Sequence, residues 1–259
     1  MPRPSLPGMR IDHAAVLAEQ SALLHSAARH PDALRQPVSA CPGWTVADLV
    51  EHLAEVQVFW THVVLAGGER PDEDAVRAEQ QPSGELVEWA EQCSTALVKA
   101  LRETSPHSAA WCWWNPERRA SAAGVASRQA HEALIHRWDA EAAVRHPTPG
   151  DAELWADGVD EFATRFLQGP DWSGPSGVLA IRADDAGREW RFGAGSASTR
   201  PDGRPAWLRD KRAREVDSLV IATAEQLDLL LWRRVEADPG HVQGDPALFA
   251  AVVAWADLD

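Results

Sequence analysis

The sequence predicts an α+β protein, with an antiparallel four-helix bundle over residues 1–147 followed by a smaller α+β domain over residues 148–259. Three observations carry this expectation. Apolar residues recur at spacings of three and four through the first 147 residues, in four segments of about 20 residues or more each. Alternating, strand-like runs occur only after the break Pro147-Thr148-Pro149-Gly150. A chain of 259 residues also has ample length for two domains, since domains most often run to roughly 100 to 150 residues.

The first helix is expected from about Ile11 to Ala33. The second opens with CPGWTVADLVEHL, where Thr45 suits the N-cap and Asp48, three residues on, completes a capping-box-like pair. Its stripe of Val46, Leu49, Leu53, Val56, Trp60 and Val63 should end at Gly67-Gly68. A third helix runs from about Gly84 to Thr104, and Ser105-Pro106 closes it. The fourth runs from Ser121 to His146, free of proline until Pro147. Four such helices with no strand signals between them bury their apolar stripes best as a bundle.

Beyond Gly150 a helix is expected from Asp151 to about Leu167. The runs SGVLAIRA (176–183) and REWRFGA (188–194) flank an Asp-Asp-Ala-Gly turn and read as two strands. REVDSLVIAT (214–223) reads as a third, AEQLDLLLWRRV (224–235) as an amphipathic helix, and DPALFAAVVAWA (245–256) as a closing helix with Asp245 at its N-cap and Pro246 at N1.

Composition narrows the function classes. A formal net charge of −14 argues against nucleic acid, whose binding depends on clustered Lys and Arg that neutralise phosphates. The one basic cluster, RPAWLRDKRAR (204–214), suits either an anionic ligand or a solvated loop or strand edge. No apolar run is long enough to span a bilayer. The N-terminus lacks the apolar core and small-residue cleavage site of a signal peptide, so a cytoplasmic protein is expected. Cys41, Cys93 and Cys112 include no CxxC pair and fit reduced thiols; none is a candidate nucleophile.

The chemistry concentrates in HEALIHRWDAE (131–141). Glu132 and His136 stand four residues apart on the fourth helix, and Arg128, His136 and Asp139 all fall within roughly 40° of Glu132 on a helical wheel. This stripe is either a solvated ladder of i,i+4 pairs or part of a metal site. His131 is about 140° from His136, so the two cannot easily share an ion, and HEALIH is one residue too long for HExxH. His52, on the second helix at the edge of its apolar stripe, is an inward histidine that a bundle can bring opposite Glu132 and His136. Two imidazoles and one carboxylate with a vacant fourth position make a catalytic zinc arrangement, whereas a structural zinc site closes all four.

CPGWTVADLVEHL followed by RQAHEALIHRWDAE resembles the mycothiol-dependent maleylpyruvate isomerase family, whose N-terminal part belongs to the DinB-like group of metal-binding four-helix bundles. AEQLDLLLWRRV and HVQGDPALFAAVVAW resemble that family's small C-terminal domain, so the similarity extends along nearly the whole chain. The resemblance implies a divalent metal, usually zinc, on His52, Glu132 and His136, with mycothiol as a thiol cosubstrate. It also implies a catalytic arginine after the tryptophan of LLLW, matched by Arg234 or, one residue away, by Arg233. It leaves Arg128 and Asp139 as candidates for orienting the ligands. The implied activity is S-transfer to a small electrophile, or thiol-assisted isomerisation of one. The alternative is a non-catalytic protein that binds or senses a small ligand. WCWW (111–114) would either line an apolar substrate pocket or pack at the end of the bundle.

Overall fold

Thr45 begins the second long helix as a capping box. Its hydroxyl accepts from the Asp48 amide at 3.4 Å, and the Asp48 carboxylate accepts from the Thr45 amide at 2.7 Å. Two of the amide donors that a helix start leaves without intrahelical partners are thereby satisfied. The computed structural model describes residues 11–115, 117, 119–167, 171–198, 200–201, 203–207 and 215–258, so most of the basic cluster at 204–214 lies outside the described residues. The chain divides into two units at Thr148–Pro149.

The first unit is built on α1 (His13–Ala28), α2 (Val46–Leu65), α4 (Leu86–Glu103) and α5 (Ala122–Val144), with a short α3 (Glu73–Glu79) before α4. Each long helix packs mainly on two others: α1 and α2 each lie against both α4 and α5. Two helices run each way. Arg102 near the end of α4 pairs with Asp12 at the start of α1, and Arg29 at the end of α1 pairs with Glu91 near the start of α4, so these two are antiparallel. The α1 and α5 helices run together, since His13 lies against His131 and His30 against His146. The α2–α4 connection makes this possible. Gln80, just past α3, donates to the Glu55 carbonyl at 2.9 Å, and Glu79 pairs with His62, so the chain returns along α2 before α4 begins.

Leu17, Leu24, Leu49, Leu53, Val63 and Leu97 form the fully buried centre. A polar layer crosses it: the Gln57 amide donates to Ser21 Oγ at 3.0 Å and accepts from Ser94 Oγ at 2.7 Å. Such a layer is tolerated because its members satisfy one another.

Three features of this unit depart from the sequence expectation. Residues 109–111 and 119–121 form a small antiparallel hairpin, β1 and β2. The α3 helix interrupts a presumed loop. The α1 helix stops at Ala28 because Asp32 adopts left-handed backbone (φ 62°) and Ala33–Arg35 tighten into a 3₁₀ turn. Two tryptophans of WCWW pack against α2, Trp111 edge-on to Phe59 at 6.0 Å and Trp114 against Trp60 at 5.4 Å.

In the second unit α6 (Ala152–Arg165) precedes the hairpin of β3 (Gly177–Ala183) and β4 (Arg188–Ala194), which pairs Ile181 with Trp190. The sheet order is β5-β4-β3-β6-β7, with β5 (Ala206–Trp207) and β7 (Val242–Gly244) at the edges and β6 (Ser218–Ala222) parallel to β3. A parallel pair needs a crossover connection; here it runs from β3 through β4 and β5 to β6. The α7 helix (Ala224–Leu231) packs on α6 and β3, and α8 (Pro246–Trp255) packs on β3 and β6. Asp245 caps α8 from its N-cap position, accepting from Ala247 at 2.9 Å, and Pro246 occupies N1.

The expected helix 224–235 ends four residues early. Arg233 takes left-handed backbone (φ 59°) and its guanidinium donates to the carbonyls of Val253 and Ala256 at 2.8 Å and of Ala254 at 3.2 Å, at the end of α8. None of the three cysteines is in a disulfide, and burial pushes the Cys93 thiol up to about 11. Among the described residues no helix is long and apolar enough to cross a membrane.

Candidate metal centre

The α5 helix starts at a Ser121 N-cap, whose hydroxyl accepts from Gly124 at 3.2 Å, and continues unbroken to Val144. Its regularity sets Arg128, Glu132, His136 and Asp139 in one stripe, each next pair three or four residues apart. Across from it, the capped start of α2 holds His52 in the helix's second turn.

The structure brings His52, Glu132 and His136 together. One ligand atom from each lies within 4.8 Å of the other two. Glu132 Oε1 is 3.3 Å from His136 Nε2 and 3.7 Å from His52 Nε2, and the two imidazole rings meet nearly at right angles, 5.4 Å between centres. The site is closed on one side and open on the other. Side-chain exposure is 10% for His136 and 12% for Glu132 but 34% for His52.

Each of the three side chains is itself held. His136 Nδ1 lies 3.1 Å from Asp139 Oδ2, an arrangement in which Nδ1–H donates to the carboxylate and Nε2 is left facing Glu132. The Arg128 guanidinium pairs with Glu132 Oε2, the oxygen turned away from the histidines. Trp44 stands edge-on to His52 with ring centres 5.0 Å apart. Trp44 is the contact that periodicity does not reveal, because it sits in the loop before the cap, where no helical spacing ties it to His52.

Electrostatics follow from this packing. Burial would raise the Glu132 carboxyl, but the charge of Arg128 and the hydrogen bonds from His136 and His52 outweigh it and hold the group well below the usual range. Burial would lower His136, yet the hydrogen bonds to Asp139 and Glu132 and their charges push it up to about 9. Once His136 gives up its Nε2 proton, the set offers a cation two imidazole nitrogens and one ionised oxygen, with Asp139 holding the remaining proton on Nδ1. This donor chemistry fits a borderline cation such as zinc.

The remaining sequence candidates lie elsewhere. His131 is fully buried and edge-on to His13 at 5.9 Å, away from the three-residue cluster. Arg234 belongs to the second unit, where it follows α7, is half-buried, and donates to the Trp232 carbonyl at 3.0 Å. Arg233 is committed to the carbonyls that end α8.

Comparison with known proteins places these features in a family. Residues 14–141 match the family model described as the mycothiol maleylpyruvate isomerase N-terminal domain, which spans nearly all of the first unit and all three clustered residues. No curated protein matches the sequence significantly. Among solved structures, the mycothiol-dependent maleylpyruvate isomerase aligns with a TM-score of 0.55 at 14% identity, covering 84% of this chain and 86% of that one. The H52A mutant of that isomerase aligns with the same TM-score and coverage at 12% identity. At such identities the alignments establish a shared fold, while the sequence match establishes the family of the N-terminal unit: residues 14–141 belong to the mycothiol maleylpyruvate isomerase N-terminal domain family.

Proposed function

We propose that the protein is a mycothiol-dependent enzyme in which His52, Glu132 and His136 hold a divalent cation, zinc by preference, and that it transfers the thiol to a small electrophile. The observation that carries this is the two-nitrogen, one-oxygen set, buried at Glu132 and His136 and open at His52. Three protein ligands with an accessible side are the pattern of catalytic rather than structural zinc. When bound, the cation would lower the pKa of a coordinating thiol and so supply a thiolate at neutral pH.

The chain's own groups prepare this chemistry. Asp139 fixes the His136 tautomer, Arg128 orients Glu132, and Trp44 screens one edge of His52 from water. The thiolate sulfur then forms a bond to the electrophilic carbon. In S-transfer a leaving group departs, or a proton adds, and the thioether is released. In isomerisation the sulfur adds to an activated double bond, the resulting single bond rotates, and the carbon–sulfur bond breaks again. Arg234 is the proposed partner of a carboxylate on thiol or substrate, through a charge-assisted hydrogen bond. S-transfer is favoured over isomerisation because no residue in the sequence singles out maleylpyruvate. The formal net charge of −14 favours small molecules over nucleic acid as its partners.

The test is metal analysis of wild type beside His52→Ala and Glu132→Ala, followed by mycothiol consumption with an activated aryl chloride and, separately, with maleylpyruvate. The expected result is near-stoichiometric zinc in wild type alone and metal-dependent loss of thiol with the aryl chloride. Equal metal in all three proteins refutes the ligand set. Ligand retention without turnover points instead to a binding protein.

A further inference from the structure

The two oxygens of Glu132 face different partners. Oε1 lies toward His136 and His52, at 3.3 and 3.7 Å, while Oε2 is paired with the Arg128 guanidinium. Resting on the metal reading above, we propose that Arg128 is a positioning residue with two effects: it restricts Glu132 to ligation through one oxygen, and it makes the fourth position selective for an anion.

The first effect is geometric. Arg128 and Glu132 are one helical turn apart on α5, with side-chain exposures of 9% and 12%, so the pair is held in register by a rigid element and shielded from water. A carboxylate turning both oxygens to a cation would pull Oε2 out of its present alignment with a buried guanidinium that cannot shed its charge. Glu132 therefore keeps to one-oxygen ligation, and a coordination position that a second oxygen would fill stays available for an exchangeable ligand.

The second effect is a matter of charge. Glu132 and Asp139 bring two negative charges to the site and Arg128 returns one positive charge. With a divalent cation these groups sum to one positive charge, which a single thiolate neutralises. Without Arg128 the same groups would sum to zero, and a thiolate would leave a net negative charge in a largely buried site. Arg128 thus favours a thiolate over a neutral ligand. A lysine would keep the charge but lose the planar fork that fixes Oε2.

Cobalt(II) is a suitable probe, because its visible bands report coordination number and a thiolate–cobalt charge-transfer band reports sulfur binding. Wild type, R128M and R128K would be loaded with cobalt(II) and titrated with 2-mercaptoethanol. For R128M the expected result is retained cobalt with weaker visible bands, from an added carboxylate oxygen, and a half-saturating thiol concentration raised at least tenfold. R128K should recover most of the thiol affinity. An R128M protein matching wild type in both spectrum and half-saturation overturns the proposal, and an R128K protein as weak as R128M overturns its charge component. Wild type that takes up no metal overturns the metal reading itself. Should R128M fail to fold, X-ray absorption of zinc-loaded wild type decides the first effect. One carboxylate oxygen at about 2.0–2.2 Å is expected there, and two overturn it.

Discussion

A cation at this site must displace a proton from His136, and the displacement should be measurable. In the metal-free protein His136 is pushed up to about 9, because Asp139 holds Nδ1–H and Glu132 faces Nε2 closely enough to stabilise the imidazolium. Metal ligation needs Nε2 without its proton. At pH 7 that removal costs roughly 3 kcal/mol, about two pH units, so zinc affinity should be about 100-fold weaker than its high-pH limit. It should tighten about tenfold per unit between pH 7 and 9. The stability of the metal-free protein moves the opposite way. A histidine raised above its ordinary 6.5 contributes stabilisation that is fully present below pH 6.5 and lost as pH rises through 9. Over the whole shift this amounts to about 3 kcal/mol. Titration calorimetry with zinc at pH 7 and 8, in two buffers of different ionisation enthalpy, counts the protons released. Asp139→Asn should lower the His136 pKa and with it the proton count at pH 8. Zinc affinity that is flat from pH 7 to 9, or a proton count that Asp139→Asn leaves unchanged, would refute the reasoning.

Four further outcomes follow from local geometry. Asp139→Asn should also weaken zinc binding by about 10- to 100-fold, the usual consequence of disturbing the partner of a ligating histidine, as competition with a chromophoric chelator would show. His25, buried on α1, is lowered to about 4 mainly by burial, with the Arg29 charge acting in the same direction against the Glu91 charge. Since the unfolded chain takes up this proton first, stability should fall as pH drops from 6.5 toward 4, by up to about 3 kcal/mol; urea unfolding of wild type against His25→Gln at pH 7 and 4.5 isolates the effect. Thr45→Ala removes the α2 cap and should cost about 1 kcal/mol by chemical denaturation. At Gly158 on α6 an added Cβ would overlap the Asp228 carboxylate on α7. Gly158→Ala should therefore lower the melting temperature, at a cost of about 1–3 kcal/mol, while the zinc content of the protein stays unchanged.

The elements that could be read from the sequence are those whose signal is local. Thr45 and Asp48 announce the start of α2 by spacing alone, and Asp245-Pro246 announces α8 in the same way. The β4 strand occupies the run REWRFGA, residues 188–194, because its flanking turns carry the expected chemistry. What escaped depends on partners. The three-residue strands β1 and β2 exist because Ala110 pairs with Ala120 across a loop, and β7 because Val242 pairs with Val220. A segment of three residues carries no periodicity that betrays it. The early end of α7 has the same origin: the residues Trp232 to Val235 are compatible with a helix, and only the carbonyls at the end of α8, reached by Arg233, turn the chain aside.

For the stripe on α5 the sequence supplies the grouping but not its environment. A wheel places Arg128, Glu132, His136 and Asp139 together whether they face water or protein. The structure separates the two cases by burial: Arg128 is 7% exposed, His136 8% and Asp139 2%. A solvated ladder of i,i+4 pairs would leave these side chains in water, where each pair adds only a few tenths of a kcal/mol. Burying four ionisable groups on one helix instead carries a desolvation penalty that their mutual attraction need not recover, and well-packed apolar residues often serve stability as well or better. Stability alone therefore gives no reason for the stripe. The proposed cation would supply one, since it would attract the carboxylate and the neutral imidazole together, with His52 as the third donor that neither the ladder nor the helix requires.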